Sequence, residues 1–275
     1  MPKGVPMPSS DAVLERPRSN NAHRASSISL NVRGVPYREV NHRIWQLVEE
    51  GVDTIVLHGV TGQRYLGTNL RKEVRILMDG VPGNDLGAFM DGPQIIVLND
   101  AQDGCGNTMN SGSIVIHGSA GDILGHSMRG GKIFVRDSVG YRVGIHMKEY
   151  GAIKPVIVIG DTAQHFLGEY MSGGILVVLG SNLGPGEVHP SHYVGTGMHG
   201  GVIYMRGPVR RHLLGKEVGV RPVDAEDMAL LGGLVSEYAD HFERDAEELL
   251  TPSAGSEWIK LLPLTKRPYG RLYAY

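Results

Sequence analysis

The chain has 275 residues, with 27 basic and 29 acidic side chains and a formal net charge of −2, so no overall field points to nucleic acid or an acidic membrane surface. Its 39 glycines do not fall every third residue as in collagen, and a hydrophobic content of 41 % argues against disorder. The single cysteine, Cys105, excludes an intramolecular disulfide and any zinc or iron–sulfur site built from this chain's cysteines alone.

In chain order, residues 1–27 are rich in Pro, Ser, Asn and Arg without periodicity and read as a flexible arm. They contain no apolar signal-peptide core, and the chain has no apolar run of the roughly 18 residues a membrane span needs, so a cytoplasmic protein without membrane insertion is expected. From Pro36 to Glu50, Val40, Ile44, Leu47 and Val48 fall on one helical face, predicting a helix placed to cap the first coil of a repeat.

The repeat itself begins with the next residues. A large apolar residue recurs at Leu70, Met90, Met109, Met128, Met147, Met171 and Met198, and three positions before each stands a glycine: Gly67, Gly87, Gly106, Gly125, Gly144, Gly168 and Gly195. After each comes a short run bounded by glycine or proline, such as Ile95-Ile96-Val97, Ile114-Val115-Ile116 or Ile133-Phe134-Val135, which reads as a strand. One strand plus glycine turns at a period near nineteen residues predicts an all-β solenoid: a right-handed parallel β-helix of about seven coils, spanning 28–207 with its cap helix. Lys148 to Lys154 and Ser181 to Tyr193 are insertions expected to bulge as loops.

After Arg206-Gly207 the repeat stops, and 208–275 reads as a helical extension and an extended tail. Pro222-Val223-Asp224 before an acidic turn is a helix start, Leu234 to Leu250 continues as helix with a break expected at Gly232-Gly233, and Trp258 to Tyr275 reads as extended.

Side chains along a strand alternate faces. The first and third residues of each run form two inward columns: Ile76, Ile95, Ile114, Ile133, Val156, Leu176, Ile203, and Met78, Val97, Ile116, Val135, Val158, Val178, Met205. The middle column, Leu77, Ile96, Val115, Phe134, Ile157, Val177 and Tyr204, should face outward and is also apolar throughout. Such a face requires cover, from the chain's own terminal segments, from a partner subunit, or from both.

Candidate chemistry is sparse. Gly195-Thr196-Gly197-Met198-His199-Gly200 has the letters of a dinucleotide fingerprint, but a strand comes after it where the pyrophosphate needs a helix N-terminus. Glu187, His189 and His192, with His199 nearby, have residue types that ligate zinc, in what otherwise reads as a surface loop. His126, His146 and His165 lie near glycine turns at different offsets and read as exposed turn residues. Cys105 occupies a position filled by Leu or Val in the other coils and reads as a buried, inert thiol. No catalytic, cofactor-binding or metal-binding residue is assigned to the chain.

The stretch Gly121 to Gly180, with Gly-Asp-Ile-Leu-Gly-His-Ser-Met-Arg-Gly-Gly-Lys-Ile, Val143 to Tyr150, Lys154 to Gly160 and Phe166 to Gly174, continued by Gly197 to Tyr204, resembles the C-terminal glycine-repeat (GXGXG) domain of the glutamate synthase large subunit. The coil-bearing subunit of formylmethanofuran dehydrogenase is a more distant resemblance. The glutamate synthase resemblance implies a non-catalytic scaffold subunit of a glutamate synthase-like oxidoreductase complex. It also implies FMN and iron–sulfur clusters in a partner catalytic subunit, none in this chain, and an amidotransferase-type subunit as a further partner. The competing reading is an autonomous ligand-binding protein or enzyme on a β-helix.

Overall fold

The computed structural model describes residues 26–184, 186–251 and 257–264. Nine strands, β1 (Ser27–Asn31), β2 (Thr54–Thr61), β3 (Arg75–Val81), β4 (Gln94–Val97), β5 (Ser113–Ile116), β6 (Lys132–Val135), β7 (Val156–Ile159), β8 (Ser172–Val178) and β9 (Gly200–Arg206), stack in chain order. Every neighbouring pair among them is parallel. The chain is a parallel β-solenoid of about six turns, one fewer than the seven glycine turns that bracket them. Of the arm expected over 1–27, residues 1–25 lie outside the described residues, and Ser27 already pairs with Thr54. β1 and β2 precede the first glycine turn, so the repeat does not mark them. Helix α1 (Tyr37–Glu49) lies between them in sequence and buries Val40, Ile44, Leu47 and Val48 in the solenoid core, as a cap does.

The glycine turns explain the composition. In all seven, three alternate residues take positive φ: the glycine and the residues two before and two after it, as in Asp85, Gly87 and Phe89 or Arg142, Gly144 and His146. The amides at these positions alternate in direction. Gly87 N–H reaches back to the Leu66 carbonyl at 2.8 Å, whereas those of Asp85 and Phe89 reach forward to the Asp103 and Asn107 carbonyls at 2.9 and 2.8 Å. The corner is therefore a hydrogen-bonded stack in its own right. A non-glycine residue at positive φ costs about 1 kcal/mol or more, and the flanking positions bear that cost because their side chains point out to space. The central position has no such freedom. A Cβ on Gly67 would lie 2.8 Å from Ile95 Cδ1, and one on Gly168 would lie 2.7 Å from Ile203 Cδ1, the inward strand residue of a later coil.

The inward columns are Ile76, Ile95, Ile114, Ile133, Ile157, Leu176, Ile203 and Met78, Val97, Ile116, Val135, Ile159, Val178, Met205, all fully buried in one cluster. This corrects the reading of one coil. In β7, Ile157 pairs with Ile133 and Val158 with Phe134, so Val158 faces outward and Ile157 belongs to the core. Val156 to Ile159 are four consecutive apolar residues after an insertion, so alternation alone leaves the frame undetermined. Packing decides it: Ile157 Cδ1 sits against Gly125, where its counterparts sit against the other turn glycines.

The outward column from Ile96 through Val115, Phe134, Val158 and Val177 to Tyr204 is buried beneath helix α2 (Ala225–Phe242). Leu231, Leu234, Val235, Tyr238, Ala239 and Phe242 form the helix face that covers it, at the spacing of one helical stripe. The helix begins where the sequence predicts its start, and Asp224 and Asp227 close a capping box there. The helix runs straight through Gly232-Gly233 and ends at Glu243, which takes φ 53° before α3 (Ala246–Leu250). Two glycines in a helix cost roughly 1 kcal/mol each, less than the apolar burial of the stripe recovers at about 1.5–3 kcal/mol per large side chain.

The far end of the ladder is closed by antiparallel strands. β11 (Trp258–Pro263) inserts between β9 and β10 (Val218–Pro222), giving the order β9-β11-β10. Leu261 continues the inward column opposite Ile203, while Lys260 stands opposite Tyr204 and Arg221 beyond it. The apolar outer column thus ends in two charges, a device that blunts a sheet edge. Of the extended tail expected to Tyr275, residues 265–275 lie outside the described residues.

Candidate functional site

The positive-φ residues flanking each turn glycine throw their side chains outward, so the corners form a ridge along the solenoid. In the fifth to seventh turns this ridge gathers aromatic side chains. Tyr141, Tyr170 and Tyr193 remain 44, 43 and 53 % exposed, large values for aromatic side chains. Their rings and the histidines beside them stack along the solenoid axis: His146 on Tyr170 at 5.4 Å, His165 on His192 at 4.4 Å, and Phe166 on Tyr193 at 4.9 Å between centroids. Arg142 lies over the Phe166 ring at 5.1 Å and its Nη1 is 3.3 Å from Oε2 of the largely buried Glu169. Each of these pairs covers one face of its rings, whereas Tyr141 meets His165 edge to face at 5.5 Å.

Beside the ridge the Lys148–Lys154 insertion forms a small hairpin. Tyr150 and Ile153 exchange two backbone hydrogen bonds of 3.0 Å, and Glu149 Oε2 accepts from Gly174 N–H at 3.0 Å, tying the hairpin to the next coil. Ile153 overhangs Gly130 of the preceding coil, where a side chain would collide with it. Tyr150 is 80 % exposed and Ile153 56 %.

The histidines partly obey a pattern that single offsets hide. His165 and His192 both stand three residues before their turn glycines and stack for that reason, whereas His126 and His146 stand one and two residues after theirs. A column-by-column alignment of the turns shows this pair. Burial, aided by the charge of His146, lowers the pKa of His126, which keeps it neutral near pH 7.

The remaining candidates are structural. Cys105 is fully buried with its thiol 3.2 Å from the Gln102 carbonyl, and burial pushes its pKa up to about 12, so no nucleophilic thiolate forms. His189 is buried with Nε2 2.9 Å from the Arg206 carbonyl, Glu187 Oε2 accepts from Gly184 N–H at 2.9 Å, and His192 is occupied in its stack. They do not converge, and among the described residues no group of three or more His, Cys, Asp or Glu is placed to hold a metal. The Gly195–Gly200 run is a solenoid corner leading into β9; Gly197 N–H donates to Glu217 Oε2 at 3.1 Å. Apart from the half-buried Leu77, the outward column contributes no open surface, since α2 seats on it. There Tyr204 O–H donates to Asp227 at 2.6 Å, Lys260 Nζ to the same carboxylate at 2.7 Å, and Tyr238 O–H to the Arg136 carbonyl at 2.9 Å.

Compared with known proteins, residues 47–264 match the family model described as the GXGXG motif. The chain is also 45 % identical over 254 residues to an uncharacterised protein of Methanocaldococcus jannaschii, covering 90 % of this chain and 96 % of that one.

Proposed function

Since the chain belongs to the GXGXG motif family, we propose that it is a non-catalytic scaffold subunit of a glutamate synthase-like flavin and iron–sulfur oxidoreductase complex. In this reading FMN and the iron–sulfur clusters reside in a catalytic partner subunit, an amidotransferase-type subunit is a further partner, and the solenoid holds the assembly together. One observation carries it. The apolar strand face is sealed by the chain's own helix, while the glycine-turn ridge keeps Tyr141, Tyr170 and Tyr193 exposed. Tyrosine and arginine on a rigid frame are the residue types enriched at protein interfaces. A β-solenoid that is hydrogen-bonded along both its strands and its corners holds such side chains at fixed spacing. No helix of the described residues is long and apolar enough to cross a membrane.

The test is affinity purification of the tagged chain from its own cells, with mass spectrometry and analysis of flavin and iron. Stoichiometric recovery of a flavin- or iron–sulfur-bearing subunit is expected. Recovery of the chain alone, or turnover of glutamine or 2-oxoglutarate by the chain alone, overturns the reading.

A further inference from the structure

The Lys148–Lys154 hairpin combines features that its own fold does not use. Its two paired residues, Tyr150 and Ile153, are exposed although apolar, and they flank a turn tied down by backbone hydrogen bonds and by Glu149. Three cations lie in the hairpin or on the adjoining rung. Lys148 and Lys154 belong to the hairpin itself, and Arg129 is the counterpart of Lys148 one coil earlier, four residues after its turn glycine. The rungs are adjacent, since Lys148 N–H donates to the Met128 carbonyl at 3.0 Å. All three side chains are exposed, and none makes a hydrogen bond or ion pair among the described residues. Of the nearby carboxylates, Glu149 is engaged with Gly174 and Glu169 with Arg142. In a chain whose charges nearly cancel overall, this is a local excess of positive charge around an apolar tip.

Like charges on adjacent rungs repel, and an exposed Tyr beside an exposed Ile gains most when both enter an apolar recess. Complementarity of charge and shape therefore selects the occupant. We propose that the hairpin is the docking element for the catalytic subunit: Tyr150 and Ile153 enter an apolar recess on that subunit, and Arg129, Lys148 and Lys154 meet acidic residues at its rim. This rests on the scaffold reading above and assigns it a place. A nucleic acid is the less fitting occupant, because the hairpin offers one exposed ring, Tyr150, beside the aliphatic Ile153, where a single strand is held by a succession of stacking aromatics.

The test compares tagged wild-type chain with Tyr150→Ala/Ile153→Ala and Arg129→Glu/Lys148→Glu, each expressed in the native cells and purified at rising salt. The expected result is at least a tenfold loss of catalytic subunit with either double variant, while Leu230→Ala, an exposed apolar residue on α2, recovers it as wild type does. Wild-type association should also weaken with salt, and the charge-reversed variant should show a flatter dependence. Thermal melts of the variants should stay close to wild type, since the only internal contact removed is that of Ile153 over Gly130; a variant that melts early is replaced by Tyr150→Ser alone. Full retention of the catalytic subunit by both double variants overturns this inference and leaves the scaffold reading standing. Wild-type chain without any flavin or iron–sulfur subunit overturns both. A wild-type dimer that Tyr150→Ala dissolves, or binding of a single-stranded oligonucleotide that Lys148→Glu abolishes, overturns the assignment in favour of a second copy or a nucleic acid.

Discussion

The outward strand face and the glycine-turn ridge are built by the same repeat, yet they meet opposite fates. The strand face is a flat band of Ile, Val, Phe and Tyr side chains, and a single amphipathic helix covers it because a helical stripe matches a flat band. The ridge carries fewer apolar side chains, splayed from or beside backbone at positive φ, and Phe166, Tyr170 and Tyr193 are steadied by stacking rather than cover. Apolar content by itself therefore does not tell which face stays open. The more hydrophobic face is closed from within, and the more irregular one stays open.

The largest expected effect breaks the closed face. Phe134 of β6 is fully buried beneath α2, with His241 at 4.8 Å, and Phe134→Glu removes that packing and places a carboxylate in an apolar cluster. A loss of about 4 kcal/mol or more is expected in urea unfolding, with increased protease cleavage near α2. If α2 stays protected and the midpoint is unchanged, the helix is not what seals the face.

Next comes the ridge's inner side. Gly168→Ala combines the cost of positive φ with a collision against Ile203 Cδ1, 2.7 Å from the new Cβ. A destabilisation of about 3 kcal/mol results from the two together. A loss under about 1 kcal/mol shows that the corner relaxes and that the glycine is not sterically required.

The polar pin of α2 gives a pH-dependent effect. Burial by itself raises the pKa of Asp227, but hydrogen bonds from Lys260 and Tyr204 outweigh it and hold the carboxyl below its usual value of 3.8. A depressed carboxylate contributes stability that is fully present well above the unfolded value, near 3.9, and is lost as pH falls through the lower folded value. Asp227→Asn is thus expected to cost about 2 kcal/mol at pH 7, because Lys260 loses the nearer of its two charged partners and keeps Asp224 at 3.7 Å. The gap from wild type should shrink toward pH 3 and below. A gap that is constant with pH separates the effect from ionisation.

These two surfaces also differ in how far residues reveal them. The turn glycines are legible because a steric requirement recurs at each coil, and the inward columns because alternation needs only local spacing. The frame of Val156–Ile159 is not, since four apolar residues alternate equally well either way and only the contact of Ile157 with Gly125 selects one. The cover over Phe134 stays open in sequence between the chain's own ends and a partner, because it joins residues about a hundred positions apart, as in the bond from Tyr238 to the Arg136 carbonyl. The insertion of β11 between β9 and β10 is similarly long-range. The aromatic ridge escapes a reading by repeat because its members occupy several offsets; Tyr141 and His165 both stand three residues before their glycines, whereas Tyr193 stands two before and Tyr170 two after.

The smallest effect distinguishes the two kinds of positive-φ position within one corner. Tyr193 has φ 59° and stacks on Phe166, with its side chain directed away from the core; its neighbour Gly195 has φ 68° and faces Val218 at 2.6 Å from a would-be Cβ. Replacing Tyr193 by Ala removes the stack, worth about 0.5–1.5 kcal/mol, and keeps the conformational penalty. Tyr193→Gly also removes the stack but relieves the penalty, offset in part by the greater freedom of glycine in the unfolded chain. Glycine at 193 is therefore expected to be more stable than alanine by about 0.5 kcal/mol, the reverse of the usual order in regular structure. Matched denaturation curves of the two variants decide it. Alanine equal to or better than glycine means that this flank does not store the strain its dihedral implies, and the ridge's exposure then needs a cause other than backbone geometry.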